Sequence, residues 1–540
     1  MMVILLISVV QVVDNFNKIK HMKNNNFGYV PLHIANGIRE FAIANPSKIA
    51  VIDGERKITY KELDTRSSQV ANFFISKNFK KGDRVAVISG NRLEYPEIVA
   101  GLSKAGLIAV LVNPRSVARE VEFFLNHSGC TGLVIENSLL GLVDKCINNT
   151  EVTSILTMDG TDFGLNYEST LSEQKKFDPY VFVDECEPFK ICYTSGTTGE
   201  PKGITISHRS RCLVFMATAL EWGLGPSKST IAVAPMYHGA GFAFNYGALY
   251  TGGQLIIQRK FDPFHLLELI KQHKPDSIFL VPAHAIQLRE LGEKTIDKFD
   301  TTSLSCLYFN AAPLPQELKL WIIDRFPTAG LHELYGATET AIVTNLRPEF
   351  QKEKERCVGP PWFFNQVELL NEKGEEVDVG EQGELFAKSP FLMNGYWEDE
   401  ENTKKNTNER GFFGVGDMAI KDEDGFYYIV DRKKDMIISG ATNISPREIE
   451  EILLEVDGII DVAVVGKKSK EWGEAVTAVM VKNKENIDLK QLEEYCRENL
   501  SSYKIPKEFH FVESLPRNAS GKILKRVIKE EVDNNQLKVL

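Results

Sequence analysis

The sequence predicts an α/β protein, with a large N-terminal body of layered α/β subdomains and a small α+β domain at the C-terminal end. Three observations carry that prediction. β-Branched apolar runs alternate with helix-patterned segments through most of the chain. The length of 540 residues exceeds what one hydrophobic core usually serves. The pattern then changes character near 427–440, and the stretch that follows, about a hundred residues, is long enough for a domain with its own core.

Taken in order, the chain opens on "MMVILLISVVQVVDN", an apolar run too short to span a bilayer as a helix and without the basic start and small-residue cleavage site of a secretory signal. Met22 begins a segment that reads as a natural start, so residues 1–21 are expected to be a non-native or disordered extension. "TYKELDTRSSQVANFFISKN" (59–78) sets Thr59 and Glu62 at capping-box spacing ahead of helical apolar intervals. "RVAVISGN" (84–91) reads as a buried strand, 94–106 as a helix ending at Gly106, and "LIAVLVNPR" (107–115) as the next strand. The alternation resumes with strands at 230–236, 252–258, 276–283 and 305–314. Beyond the change of character, 445–459 and 488–500 read as helices, and 461–467 and 475–482 as strands. The boundary is placed where charge interrupts two apolar runs at 431–434, dividing 22–431 from 432–540.

Composition narrows the function classes. Seventy-four acidic residues against 63 basic ones give a net charge of −11, and no basic block is long enough to neutralise a run of phosphates. Nucleic acid is therefore not expected as a partner, and neither is an integral membrane span. Eight scattered cysteines, with no CxxC pair and no zinc-like spacing, read as reduced thiols of a cytoplasmic protein.

The stretch that raises a chemical question is "YTSGTTGEPKGI" (193–204). A P-loop needs GxxxxGK followed by Ser or Thr, and here Lys202 stands between Pro201 and Gly203, so that template fails. Its physical logic survives. Gly196 and Gly199 let backbone N–H groups approach an anion, the hydroxyls of Thr194, Ser195, Thr197 and Thr198 can donate, and Lys202 adds positive charge. Alone, the stretch reads equally well as an ordinary solvated loop.

Four further stretches follow it in order: "APMYHGAG" (234–241), "LYGATET" (334–340), "GVGDMAIKDEDGFYYIVDRKKDMIISG" (414–440) and "PRNASGK" (516–522). Together the five resemble the motif series of the adenylate-forming superfamily, which contains acyl- and aryl-CoA synthetases, firefly luciferase and the adenylation domains of peptide synthetases. The resemblance implies an ATP-dependent acid–CoA ligase, closest to those acting on medium- or long-chain fatty acids. It joins a carboxylate to AMP with loss of pyrophosphate and then passes the acyl group to a thiol. It further implies ATP, Mg²⁺ and CoA as cofactor and co-substrates, with a small carboxylic acid as the other partner; whether the chain works alone or as a homodimer stays open.

Residue by residue, the resemblance puts the β- and γ-phosphates on Thr194, Ser195, Gly196, Thr197, Thr198, Gly199 and Lys202. Tyr335 falls beside adenine, Thr338 on the α-phosphate and Glu339 on Mg²⁺, a hard cation that takes carboxylate oxygen. Asp417 matches the ribose-binding aspartate and Arg432 a ribose or phosphate contact. Lys522 meets both the substrate carboxylate and the α-phosphate as charge builds between them. His238 falls near the acyl carboxylate. Gly239 stands where peptide-synthetase domains carry an Asp for the substrate ammonium, which argues against an α-amino acid. Lys434 matches the hinge about which the small domain turns, and Ser439 and Gly440 the lining of the thiol tunnel, with Ala441 where many relatives have a second glycine. Without the motifs, Glu339 would read as a surface carboxylate, Arg432 as one charge among "DRKKD", and Lys522 as one more lysine of a basic tail.

Phe242, Phe244, Asn310, Ala311, Gly336 and Val358 are the candidates for an apolar acyl pocket. Two other readings stand beside the ligase: an enzyme that loads a separate carrier protein, and a non-catalytic nucleotide-binding homologue of the same fold.

Overall fold

A computed structural model of the chain describes residues 29–160, 163–194, 201–439, 442–469, 472–483, 487–517 and 523–539. The extension expected at 1–21 lies outside the described residues. The chain divides into two compact units. The first takes in the chain through Arg356 with 361–365 and 388–408; the second comprises 357–360, 366–387 and 409–540.

The first unit is built on two eight-stranded sheets. In one, six parallel strands run in the order Pro188–Thr194, Ile108–Val112, Arg84–Ile88, Cys130–Glu136, Ser154–Met158 and Leu165–Asn166. Lys202–Ser207 adds antiparallel to Pro188–Thr194, and the two-residue strand Gly395–Tyr396 adds antiparallel outside it. The other sheet runs Ala341–Leu346, Gly330–Ala337, Cys306–Phe309, Ser277–Leu280, Ser229–Ala232, Gln254–Ile257, Ile49–Asp53 and Arg56–Thr59. One large apolar cluster draws Val85, Leu111 and Phe189 from the first sheet, Val51, Ala232 and Leu255 from the second, and Phe73, Ile98, Phe215 and Phe242 from helices. Burial on both sides explains why the helix Glu94–Lys104 is buried at every position and shows no polar stripe.

The local signals act as the sequence predicts. Thr59 caps the helix Tyr60–Ser76: its side chain accepts from the Glu62 N–H at 3.2 Å, while the Glu62 carboxylate accepts from the Thr59 N–H at 2.7 Å. Gly106, at φ +73°, ends the run after Glu94–Lys104 in a conformation that disfavours any side chain. All eight cysteines are free thiols. Among the described residues no helix is long and apolar enough to cross a membrane.

A pair of histidines makes this unit acid-sensitive. The rings of His33 and His208 stack with centroids 4.2 Å apart, and both are buried. The His208 Nδ1 accepts from the Ile34 N–H at 3.3 Å, and the His33 Nδ1 accepts from the Ala35 N–H at 3.2 Å, so both rings are held neutral. Burial pushes His208 down to about 3, with the Arg39 charge adding, and His33 is lowered by burial, by His208 and by Arg39. The unfolded chain therefore takes up protons near 6.5 that the folded chain refuses until far lower pH. Stability present above pH 6.5 is lost as pH falls from 6.5 towards 3, on the order of 3–5 kcal/mol for His208. Melting temperatures measured across this range should fall less steeply for His208→Asn; equal slopes in both proteins would refute the assignment.

In the second unit, Gln366–Leu370, Gln382–Lys388, Phe413–Lys421 and Tyr427–Arg432 form an antiparallel sheet. A second sheet runs Thr442–Ile444, Ile437–Ser439, Gly473–Lys482 and Ile459–Ser469, with Glu508–Phe511 parallel to Gly473–Lys482. Alternation along Ile459–Ser469 serves two cores. Val462 and Val464 join Ile449, Leu453 and Leu492 of the helices Pro446–Leu454 and Leu489–Asn499, while Ala463 and Val465 join Ile528 and Val532 of Lys525–Asp533. Asp431 fastens the two sheets together: its carboxylate accepts from the Ser445 hydroxyl at 3.1 Å and the Arg447 N–H at 3.0 Å, at the start of Pro446–Leu454.

Candidate active site

The phosphate loop inferred from sequence connects two antiparallel strands, Pro188–Thr194 and Lys202–Ser207, in which Thr194 and Lys202 are register partners. Ser195, Gly196, Thr197, Thr198 and Gly199 lie outside the described residues. Lys202 is half-buried, and its Nζ sits 4.8 Å from the centroid of the Tyr396 ring. The Tyr396 hydroxyl in turn donates to Glu339 Oε1 at 3.1 Å. A cation and a carboxylate separated by 137 positions are thus linked through one aromatic side chain.

Tyr396 is the residue that sequence reasoning missed. Its position follows from backbone pairing: Gly395 and Tyr396 pair with Thr205 and Ile204, and the Trp397 N–H donates to the Gly203 carbonyl at 2.6 Å. Gly203 makes this approach feasible, since a Cβ there would lie 3.1 Å from the Trp397 Cβ and 3.2 Å from Ile191. The only signal in the sequence was an aromatic pair after a glycine, which core packing explains equally well.

"LYGATET" folds as the end of one strand, a tight turn and the start of the next. Tyr335 lies on Gly330–Ala337, and Thr338 and Glu339 occupy the turn into Ala341–Leu346. The turn is fixed by the Ala337 N–H donating to the Thr340 hydroxyl at 3.1 Å, and the Met393 N–H donates to the Glu339 carbonyl at 2.8 Å. Gly336 is required, because a Cβ there would run into the carbonyl oxygen of Ala341. Tyr335, Thr338 and Glu339 are half-buried, accessible enough to meet a ligand.

His238 caps the helix Gly239–Tyr250 with extended backbone, and its carbonyl accepts from the Phe242 N–H at 2.8 Å. Thr338 packs on the first turn of this helix: a Cβ at Gly239 would stand 3.2 Å from the Thr338 Oγ1. Desolvation first, then the charges of Arg115 and Lys190, push the His238 imidazole down to about 4, so it is neutral at physiological pH. His238, Thr338, Glu339, Tyr396 and Lys202 therefore form one continuous cluster in the first unit. A lone carboxylate among hydroxyls suits Mg²⁺, which takes one or two protein carboxylates and fills its shell with water and phosphate. Glu339 is the residue of this cluster that could hold it. Among the described residues there is no group of three or more His, Cys, Asp or Glu side chains able to hold an ion on their own.

In the second unit, Asp417 and Arg432 are cross-strand partners, and the Arg432 Nε donates to the Asp417 Oδ1 at 3.0 Å. Asp417 is buried and Arg432 half-buried, so the arginine holds the carboxylate in place beside a surface. Ser439 is buried at the end of Ile437–Ser439, opposite Gly473; Gly440, Ala441 and Lys522 lie outside the described residues. The ends of the segment that carries Lys522 are pinned by a bridge between Arg517 and Ile523 and by the Leu524 N–H donating to the Pro516 carbonyl at 2.8 Å.

The pocket candidates separate. Two residues apart on a helix lie about 200° around its axis, so Phe242 and Phe244 face different ways. Phe242 stacks on Tyr246 at 4.9 Å in the main core, and Phe244 on Phe279 at 4.5 Å in another. Asn310 and Ala311 are at least partly exposed after Cys306–Phe309, Gly336 lies near the end of the strand Gly330–Ala337, and Val358 belongs to the second unit.

Fold and clustered residues together define an adenylate-forming enzyme of the acid–thiol ligase class. The chain belongs to the AMP-binding enzyme family: residues 38–397 match the model of the AMP-binding enzyme and residues 448–522 that of its C-terminal domain. It is similar to a 2-succinylbenzoate–CoA ligase of Geobacillus sp. (strain WCH70), 31% identical over 93% of this chain and 98% of the relative. It is also similar to a long-chain-fatty-acid–CoA ligase of Bacillus subtilis (strain 168), 30% identical over 91% and 93%. Among solved structures, o-succinylbenzoate CoA synthetase from Bacillus subtilis with its acyl-adenylate intermediate superposes with a TM-score of 0.83 at 27% identity, over 92% of this chain and 98% of that one. ATP-bound MatB from Rhodopseudomonas palustris gives 0.85 at 27% identity, over 94% and 100%.

Proposed function

We propose that this enzyme is an ATP-dependent acid–CoA ligase for a carboxylic acid with an apolar body, aromatic or aliphatic. The fatty-acid reading widens in this way because the similar proteins named above include ligases for an aryl acid as well as for long-chain fatty acids. The observation that carries the proposal is the cluster of His238, Thr338, Glu339, Tyr396 and Lys202, assembled from four separate parts of the chain.

In the first step a carboxylate oxygen of the acid attacks the α-phosphorus of ATP, the bond to the β-phosphate oxygen breaks, and pyrophosphate leaves. Lys202 and the hydroxyls around it hold the departing phosphates. Thr338 holds the α-phosphate at the start of the helix Gly239–Tyr250, where helix N–H groups favour negative charge. Neutral His238 lies beside the acid without adding a competing charge. Mg²⁺, held by Glu339, supplies neutralisation of the phosphate charge when it is bound with the nucleotide. Asp417 accepts from the ribose hydroxyls and Arg432 orients it. Lys522 bridges the two reacting groups. In the second step, after the small domain turns about Lys434, the thiol sulfur of CoA attacks the acyl carbon, the carbon–oxygen bond to phosphate breaks, and AMP departs.

Pyrophosphate release is the direct test, measured across short, medium, long-chain and aromatic acids with and without CoA. Release that depends on one class of acid and turns over only with CoA supports the ligase. A single turnover despite CoA would favour transfer to a carrier protein, and ATP binding without acid-dependent release would favour a non-catalytic homologue.

A further inference from the structure

The strands that carry the two ends of the phosphate loop have a second face. Pro188–Thr194, Lys202–Ser207 and Gly395–Tyr396 are neighbours in one sheet, and Tyr193 pairs with Gly203 while Thr194 pairs with Lys202. Side chains alternate across a sheet, so Lys202 and Tyr396 stand on one face and Tyr193, Gly203 and Trp397 on the other. The packing divides in the same way: Tyr396 lies against the large apolar cluster of the first unit, Tyr193 and Trp397 against a separate one that contains Ile88, Val110 and Phe124.

On that second face the contacts meet at His127, a half-buried residue in the last turn of the helix Ala118–Ser128. Its Nδ1 and the Tyr193 hydroxyl share a hydrogen bond of 2.9 Å, and its carbonyl accepts from the Trp397 indole N–H at 3.2 Å. Gly203 leaves the room between those two side chains, since a Cβ there would stand 3.3 Å from the Tyr193 ring and 3.1 Å from the Trp397 Cβ. Arg84 secures the same helix end: its Nε donates to the Ser128 carbonyl at 2.7 Å and its Nη2 to the Gly129 carbonyl at 2.9 Å, while its guanidinium carbon lies 5.6 Å from the centroid of the Trp397 ring. Carbonyls that a helix end leaves without partners are thereby tied to the sheet. One histidine thus holds both strands that flank the loop. Tyr193 comes just ahead of Thr194, and the Trp397 N–H donates at 2.6 Å to the carbonyl of Gly203, the residue after Lys202. Trp397 also follows Tyr396, whose ring centroid lies 4.8 Å from the Lys202 Nζ.

We propose that His127 is a positioning residue for phosphate binding: through Tyr193 and Trp397 it fixes the strand pair from behind, and so sets where the Lys202 ammonium meets the β- and γ-phosphates of ATP. This rests on the ligase reading above, which gives Lys202 the departing phosphates. His127 touches no reacting group. Its effect falls on a nucleotide that carries the outer phosphates and spares one that lacks them.

Equilibrium binding of ATP and of AMP, each with Mg²⁺, to the full chain tests this without turnover. Tyr193→Phe and His127→Leu are each expected to weaken ATP binding roughly 2–10-fold, the worth of one neutral hydrogen bond, and to leave AMP binding unchanged. His127→Asn keeps a donor and an acceptor near the Nδ1 position and should restore ATP affinity. In Lys202→Met, Tyr193→Phe should cost nothing further, because the group it positions is gone. Melting temperature is followed in every variant. Equal weakening of ATP and AMP with a fall in melting temperature, a loss that persists undiminished in Lys202→Met, or ATP affinity unchanged by both substitutions would overturn the positioning role. Pyrophosphate release by the unmodified enzyme is read separately: its absence with every acid would sink the ligase reading, while the difference between ATP and AMP still judges His127. No ATP binding by the unmodified chain would overturn both.

Discussion

Glu339→Gln lowers the rate of acyl-adenylate formation by about 10²–10³-fold, the scale of losing one charge-stabilising contact in the transition state. The substitution keeps the shape of the side chain and an oxygen to accept from Tyr396, so the turn between Gly330–Ala337 and Ala341–Leu346 is preserved. What it removes is the negative charge that would hold Mg²⁺. The variant should therefore need more Mg²⁺ for half-maximal pyrophosphate release, with an unchanged melting temperature. Tyr396→Phe provides the complementary measurement. It keeps the ring under Lys202 and the charge on Glu339 but removes the hydroxyl between them, so a loss of roughly 10–100-fold is expected, the worth of a hydrogen bond to a charged group. An adenylation rate in Glu339→Gln equal to that of the unmodified enzyme would dismiss the metal assignment.

Lys522→Ala separates the two half-reactions. Removing the ammonium proposed to bridge the acid and the α-phosphate is expected to cost about a hundredfold or more in adenylation. Thioester formation from acyl-adenylate supplied ready-made should proceed close to the normal rate if, as proposed, that step follows a turn of the small domain about Lys434. Lys525, three residues on, is the internal control: its Nζ pairs with Glu450 at 2.8 Å inside the second unit, so its loss should lower stability instead of changing the balance between steps. If Lys522→Ala slowed both half-reactions equally, the division of labour would be wrong.

Features whose cause is local were legible in the sequence. The Thr59 capping box, the helix end at Gly106 and the strand expected at 461–467 each depend on residues a few positions apart, and the structure has the capping box, a left-handed Gly106 after Glu94–Lys104 and a strand over Ile459–Ser469. The phosphate loop could be recognised by its residues, but its setting between antiparallel strands comes from the pairing of Thr194 with Lys202. Tyr396 and Lys190 were hidden for another reason. The role of Tyr396 is created by the pairing of Gly395–Tyr396 with Lys202–Ser207, across 190 positions at Thr205. Lys190 sits in "PFKICYT", where one lysine in an apolar strand reads as an edge residue, and only the neighbouring sheet and helices show that it is enclosed. Phe242 and Phe244 show the converse: each packs in an apolar cluster, and a composition that suits a pocket wall suits a core equally well.

Gly395–Tyr396 is the outermost strand of its sheet. Its two residues cover the free edge of Lys202–Ser207, a row of N–H and C=O groups that would otherwise offer a template to another chain. The same dipeptide carries the hydroxyl that reaches Glu339 and the ring beneath Lys202. A substitution that loosens it would cost activity and invite self-association together, so a defect in catalysis at this position would be seen first as a loss of soluble protein.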